Sequence, residues 1–158
     1  MPFQFSLEEV LEYRRRLEEI RQREMAEAQQ RADYVERLIT EAQDRRLFYR
    51  EELDTQTQGK QAFAYRALYV DYLRGVDVLI EKTRAHLEEL KKEVERRRQL
   101  LEYAIRQREI LDEVKKEEYR QYLLEERRAE TRAFDEIAIR KFASIQREKN
   151  TQSKEGNA

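Results

Sequence analysis

Apolar residues between Leu73 and Leu111 recur in two interleaved rows. Leu73, Ile80, Leu87, Val94 and Leu101 stand seven apart, and Val76, Thr83, Leu90, Arg97, Ala104 and Leu111 fill the alternate steps of three and four. A mean spacing of 3.5 residues makes a narrow stripe along one side of a helix, which another helix must cover to remove it from water. The stretch therefore reads as half of a coiled coil, and the chain before it must supply the other half.

Upstream, Leu7, Val10, Leu11, Leu17, Ile20, Met25, Ala28, Ala32, Val35, Ile39, Ala42, Tyr49 and Leu53 keep a helical stripe. An apparent register shift between Ile20 and Met25 reads as a stutter that changes the local supercoil. Ser6 and Glu9 have the spacing of a capping box, with Phe5 as a staple, so a helix is expected to start at Ser6. The run Asp54-Thr55-Gln56-Thr57-Gln58-Gly59-Lys60-Gln61 is the polar, glycine-containing break. A short connection of this kind joins antiparallel neighbours. The expected fold is all-α, an antiparallel coiled-coil hairpin over residues 1–149. Its first arm covers 6–56, its turn 57–61 and its longer second arm 62–147, and residues 150–158 are expected as a disordered tail.

Folding about Gly59 pairs residues whose numbers sum to about 116. Leu53 then lies beside Phe63, Tyr49 beside Ala67, Ala28 beside Leu87 and Leu11 beside Ala104. On that register everything from Val114 to Arg147 lacks an intramolecular partner. Its apolar residues Tyr119, Tyr122, Leu123, Phe134, Ile137, Ala138, Ile139, Phe142 and Ile145 form a face expected to bind another protein in helix-in-groove or bundle fashion. Tyr65, Tyr69 and Tyr72 near the turn are spaced around the second arm, so some are expected at the surface as a binding patch. Gly75 inside the second arm marks a possible kink.

Composition agrees with long solvated helices rather than a round core. Charged residues are 42% of the chain, with three glycines, one proline and no tryptophan. The net charge of −1 gives no polycationic character to attract nucleic acid or anionic lipid. The absence of cysteine excludes disulfides, thiolate metal sites and a cysteine nucleophile. No segment approaches the apolar length of a membrane span, the first residues do not have the pattern of a leader, and the cytoplasm is the expected compartment. Arg14, Arg21, Arg46, Arg97 and Arg108 fall at seam positions, where their stems pack and their guanidinium groups reach Glu on the opposite arm. The single histidine, His86, is a poor metal ligand alone, and carboxylates spread over helix surfaces make no pocket. No enzyme activity, cofactor or metal is expected.

Three segments carry a family resemblance: the opening Phe3-x-Phe5-Ser6-Leu7-x-x-Val10-Leu11-x-x-Arg14, the midchain Tyr69-x-x-Tyr72-Leu73 leading to Ile80, and the closing Phe134-Asp135-Glu136-Ile137-Ala138 with Arg140. In that order, and over nearly the whole chain, they resemble the flagellar type III export protein family FliJ. Phe134 stands where the family usually has Leu or Met.

The resemblance implies a small cytoplasmic coiled coil, similar in form to the central stalk of rotary ATPases, peripherally associated with the inner membrane at the flagellar basal body. It implies binding to the export ATPase and promotion of its hexamer, contact with the cytoplasmic domain of the export gate protein, and escort of export chaperones. The candidate ATPase contacts are the helical ends, Phe3, Phe5, Leu7, Tyr119, Tyr122, Phe134, Ile137 and Phe142. The candidate gate contacts are Tyr65, Tyr69, Tyr72 and Leu73. Neither nucleic acid nor membrane insertion is expected, and the chain should act as a monomer. Two alternatives stand: the stalk of a virulence-type secretion system, and a plain structural coiled coil whose second-arm end pairs with its own copy.

Overall fold

The computed structural model describes residues 2–55 and 62–156. Two α-helices, α1 (Glu8–Thr55) and α2 (Ala62–Glu155), account for nearly all of them and pack against each other as an antiparallel hairpin, as expected. The turn expected at 57–61 lies outside the described residues. Gly75 does not interrupt α2. The chain divides into two compact units, Glu12–Arg108 and Met1–Leu11 with Glu109–Ala158.

Within Glu12–Arg108, α2 buries the side predicted for it: Val76, Ile80, Leu87 and Ala104 are buried, and Leu73, Thr83, Leu90, Val94, Arg97, Leu101 and Arg108 half-buried. On α1, Leu17, Glu24 and Glu52 are half-buried beside a covered seam of Arg14, Glu18, Arg21, Met25, Ala28, Ala32, Val35, Ile39, Ala42, Tyr49 and Leu53, with Arg46 at the rim. Their spacing is an unbroken heptad, so the expected stutter is absent. Ile20, which produced the apparent shift, is exposed, and the seam runs through charged residues that an apolarity scan passes over. We letter both helices so that the seam is a and d. The a positions are Glu18 to Leu53 on α1 and Leu73 to Arg108 on α2 in steps of seven, and the d positions are Arg14 to Tyr49 and Val76 to Ala104.

Ala32, Val35, Ile39 and Ala42 form one apolar cluster with Val76, Ile80 and Leu87, flanked by Leu90 and Val94. Small residues on α1 let the arms approach closely beneath the larger side chains of α2. Toward residue 12 the seam becomes ionic: Glu18 accepts from Arg108 Nε, and Arg97 bridges Glu24 (3.1 Å) and Glu93 (2.8 Å). The register lies further along α2 than the predicted sum of 116. Arg46 meets Asp77 (2.6 Å) rather than residue 70, Glu24 meets Arg97 rather than residue 92, and Tyr49 contacts Tyr69 and Tyr72 rather than Ala67. Phe63, expected beside Leu53, is 84% exposed. A charge-matched, close-packed seam sets this register, and counting from the turn could not supply it.

The other unit corrects two expectations. The capping box does not form. Ser6 donates both its backbone N–H (3.3 Å) and its hydroxyl (2.7 Å) to the Glu118 carboxylate of α2, and α1 begins at Glu8. The carbonyls of Phe5 and Leu7 accept the early amides of Glu8 and Leu11. The tail expected from residue 150 is helical to Glu155. No glycine or proline interrupts it before Gly156, and the Thr151 and Ser153 hydroxyls bond back to the carbonyls of Arg147 and Lys149 in the preceding turn.

Candidate partner-binding surfaces

In the unit formed by the two chain ends, the non-helical residues 2–7 lie along α2 as a strap. Phe3 sits between Tyr119 (ring centroids 5.2 Å apart) and Tyr122 (5.6 Å), while Phe5 is buried with the Lys115 ammonium 5.8 Å from its ring centre. Lys115 also donates to Glu8 at 2.6 Å. The Tyr122 hydroxyl donates to Glu126, and that bond, with partial burial second, holds its pKa above the ordinary tyrosine value.

Of the eight residues expected on an open helical end, Phe3, Tyr119 and Tyr122 are therefore engaged with one another, and Phe5 is buried beside Lys115. Leu7 is at the surface. The expected register, with residue numbers summing to about 116, left Tyr119 and Tyr122 beyond the reach of the first arm, so their pairing with Phe3 was not expected. The Phe-x-Phe alternation was the available signal.

Beyond the strap α2 is bare. Every described side chain from Leu124 to Lys154 is exposed, including Phe134 (70%), Ile137, Ile139, Phe142 and Ile145. At 100° per residue these five cover an arc of about 200°. One partner helix covers an apolar stripe of roughly 100°. The arc fits a concave surface or several helices better than a single one.

Near the turn, the structure gathers Tyr69 and Tyr72 around Tyr49, with centroids 6.0 and 4.8 Å away, and Phe48 stands edge-on to Tyr49. Leu73 is a half-buried seam residue and Tyr65 is exposed, apart from that aromatic group. Alongside runs a shallow groove of about 280 Å³ lined by Ala42, Arg45, Tyr72, Gly75, Val76 and Leu79. A Cβ built on Gly75 meets nothing within 4 Å. Packing within the hairpin therefore does not require glycine there.

Among the described residues no group of His, Cys, Asp or Glu is arranged to hold a metal ion, and His86 is exposed. No described helix is long and apolar enough to cross a membrane. Hydrogen bonds from Arg21, reinforced by the charges of Arg21 and Arg97, hold the Glu24 carboxyl below its ordinary pKa. That is the behaviour of a seam ion pair rather than of a proton-transfer group.

The family model described as "Flagellar FliJ protein" matches residues 3–147. No curated protein and no solved structure matches the chain.

Proposed function

The chain belongs to the flagellar FliJ family, a family of non-catalytic flagellar export components, and from that premise we propose that it is the stalk of the export machinery. In this reading one copy binds the export ATPase in the cytoplasm, promotes its hexamer, links it to the cytoplasmic domain of the export gate protein and escorts export chaperones, next to the inner membrane at the flagellar basal body. It acts by shape and helix-to-partner contact.

The observation that supports it most is the bare apolar arc from Phe134 to Ile145 on α2. Apolar residues spread over about half a helix's circumference are covered when the helix is held in a socket, as a stalk end is held within a ring of subunits. The strap contacts of Phe3 and Phe5 shift the ATPase assignment toward Phe134, Ile137 and Phe142. The aromatic group of Tyr69 and Tyr72 with the half-buried Leu73, and the exposed Tyr65 apart from it, remain the candidate gate contacts.

The test adds the purified chain to a type III export ATPase and follows hexamer formation and ATP turnover against protein concentration. A rise in both, lost on replacing Phe134, Ile137 and Phe142 by alanine, supports the assignment. No effect from the wild-type chain, together with a concentration-dependent dimer, would favour a structural coiled coil in which the α2 end pairs with its own copy.

A further inference from the structure

The strap holds α2 through side chains. Among the described residues no backbone-to-backbone hydrogen bond joins residues 2–7 to α2. Instead Lys115, Glu118, Tyr119 and Tyr122, all within two turns or so of α2, each receive one feature of the strap. Tyr119 and Tyr122 take the Phe3 ring, Lys115 sets its ammonium beside the Phe5 ring, and Glu118 accepts the Ser6 N–H at one carboxylate oxygen and the Ser6 hydroxyl at the other. Ring pairs and an ammonium near a ring face favour aromatic residues, and a carboxylate taking two donors favours a hydroxyl beside a free amide. The pattern Lys115-x-x-Glu118-Tyr119-x-x-Tyr122 thus reads one short sequence, Phe-x-Phe-Ser.

Glu118 is set apart from its neighbours. Glu113 and Glu117 are neutralised on their own helix by Lys116 and Arg120. Glu118 is half-buried, and its described hydrogen bonds go to Ser6. The Tyr122 ring is anchored in turn by the bond from its hydroxyl to Glu126. Lys115 and Tyr122 continue the a positions of α2 and Glu118 the d positions, but α1 starts only at Glu8, so the strap stands where a helix would otherwise lie. The cover is thin. Gln4 and Ser6 are exposed, Tyr119 keeps 46% of its exposure, and a groove of about 570 Å³ opens along the strap, with Pro2 and Gln4 on one side and Val114 and Gln121 on the other.

None of these contacts uses the covalent link of the strap to α1, so they serve a segment of another chain equally well. The link supplies only a high local concentration, on the order of millimolar for a short tether. We propose that Lys115, Glu118, Tyr119 and Tyr122 form an exchangeable peptide site, which residues 2–7 keep closed in the free chain. Its occupant in trans is a non-helical segment of a partner protein with the strap's own chemistry: two phenylalanines separated by one residue and followed directly by a serine or threonine. The partner displaces the strap, and its apparent affinity is reduced by the fraction of chains in which the strap is closed. The site lies apart from the bare arc between Phe134 and Ile145, and its test needs no export component.

The test uses the full chain and a fluorescent peptide of residues 2–8, Pro-Phe-Gln-Phe-Ser-Leu-Glu. The site is vacated by Phe3→Ala with Phe5→Ala, and circular dichroism checks that the helices persist. Because Phe5 is buried, Phe3→Ala with Ser6→Ala serves as the vacated chain if the first variant loses helix. With the chain titrated to about 1 mM, anisotropy should show the peptide binding the vacated chain at least about tenfold more tightly than the wild type. In the vacated chain, Tyr119→Ala with Tyr122→Ala, or Glu118→Gln alone, should weaken binding at least about fivefold, and a peptide with both phenylalanines replaced by alanine should not bind. Equal binding to wild-type and vacated chains, no binding to a folded vacated chain, or binding indifferent to the Tyr119/Tyr122 and Glu118 changes would overturn the proposal. So would a wild-type dimer that Phe3→Ala dissociates, since the segment in trans would then come from a second copy.

Discussion

Replacing the Glu18–Arg108 layer by leucine should stabilise the hairpin. Both residues stand at a positions, and their side chains retain only 16% and 25% of their exposure, less than any other ion pair described in the hairpin. A fully buried leucine contributes about 1.5–3 kcal/mol. On a two-helix seam that leaves a sixth to a quarter of each side chain wet, about 1–2 kcal/mol per leucine is reasonable. The partly screened ion pair that is lost contributes about 0–1 kcal/mol. The double variant Glu18→Leu/Arg108→Leu should therefore gain about 1–4 kcal/mol, in line with replacements of ionic layers by well-packed apolar ones. Glu18→Leu alone sets the guanidinium against a leucine. The Arg108 stem can still carry its charge to water, so the loss should stay below the 3–5 kcal/mol of a fully buried broken pair. The assay is urea unfolding followed at 222 nm for the wild type, both single variants and the double, with the slope checked for constancy. A double variant less stable than the wild type by 1 kcal/mol or more would refute the reasoning, because the ionic layer would then be a net stabiliser rather than a device for fixing register.

Gly75→Ala should raise stability by about 0.5–1 kcal/mol, since a Cβ there meets nothing within 4 Å and alanine is the better helix former; a fall in melting temperature would contradict it. Leu11→Ala, at a fully buried large side chain (0% exposed), should cost about 2–5 kcal/mol in denaturant unfolding. Because Arg21 and Arg97 depress the Glu24 pKa, the stability this contributes is present above the ordinary carboxyl range near 4.5 and is lost as pH falls through the lower folded value. Melting temperature should therefore drop on acidification below about pH 4.5, and less so in Glu24→Gln. Phe3→Ala should release the strap, read as faster amide exchange over residues 3–10 with α2 near Leu87 unchanged.

What the sequence determined by itself was the helical hairpin and the α2 seam. Both follow from local facts: long runs without glycine or proline, one polar break, and a seven-residue apolar repeat from Leu73 to Leu111 that a single helix must obey whatever it meets. The overlap of three short segments with the family pattern was equally readable. The α1 seam was not. Val10, Leu17 and Ile20 have spacing as good as that of a seam, and from one helix alone nothing says whether a stripe faces its own partner arm or someone else's. The second arm decides it. Glu18 faces inward onto Arg108, and Glu24, held by Arg21 on its own helix, meets Arg97, so charged residues take this part of the seam and Ile20 turns to the flank. The same holds at the chain start. A serine with a glutamate three residues on is a helix cap in isolation, but Glu118 and the ring pair of Tyr119 and Tyr122 on a distant turn of α2 draw Ser6 and Phe3 to themselves. Local propensity fixes which residues are helical. Which face is inside depends on contacts between residues far apart in the chain, such as Glu24 with Arg97 and Glu18 with Arg108, and only packing brings those together.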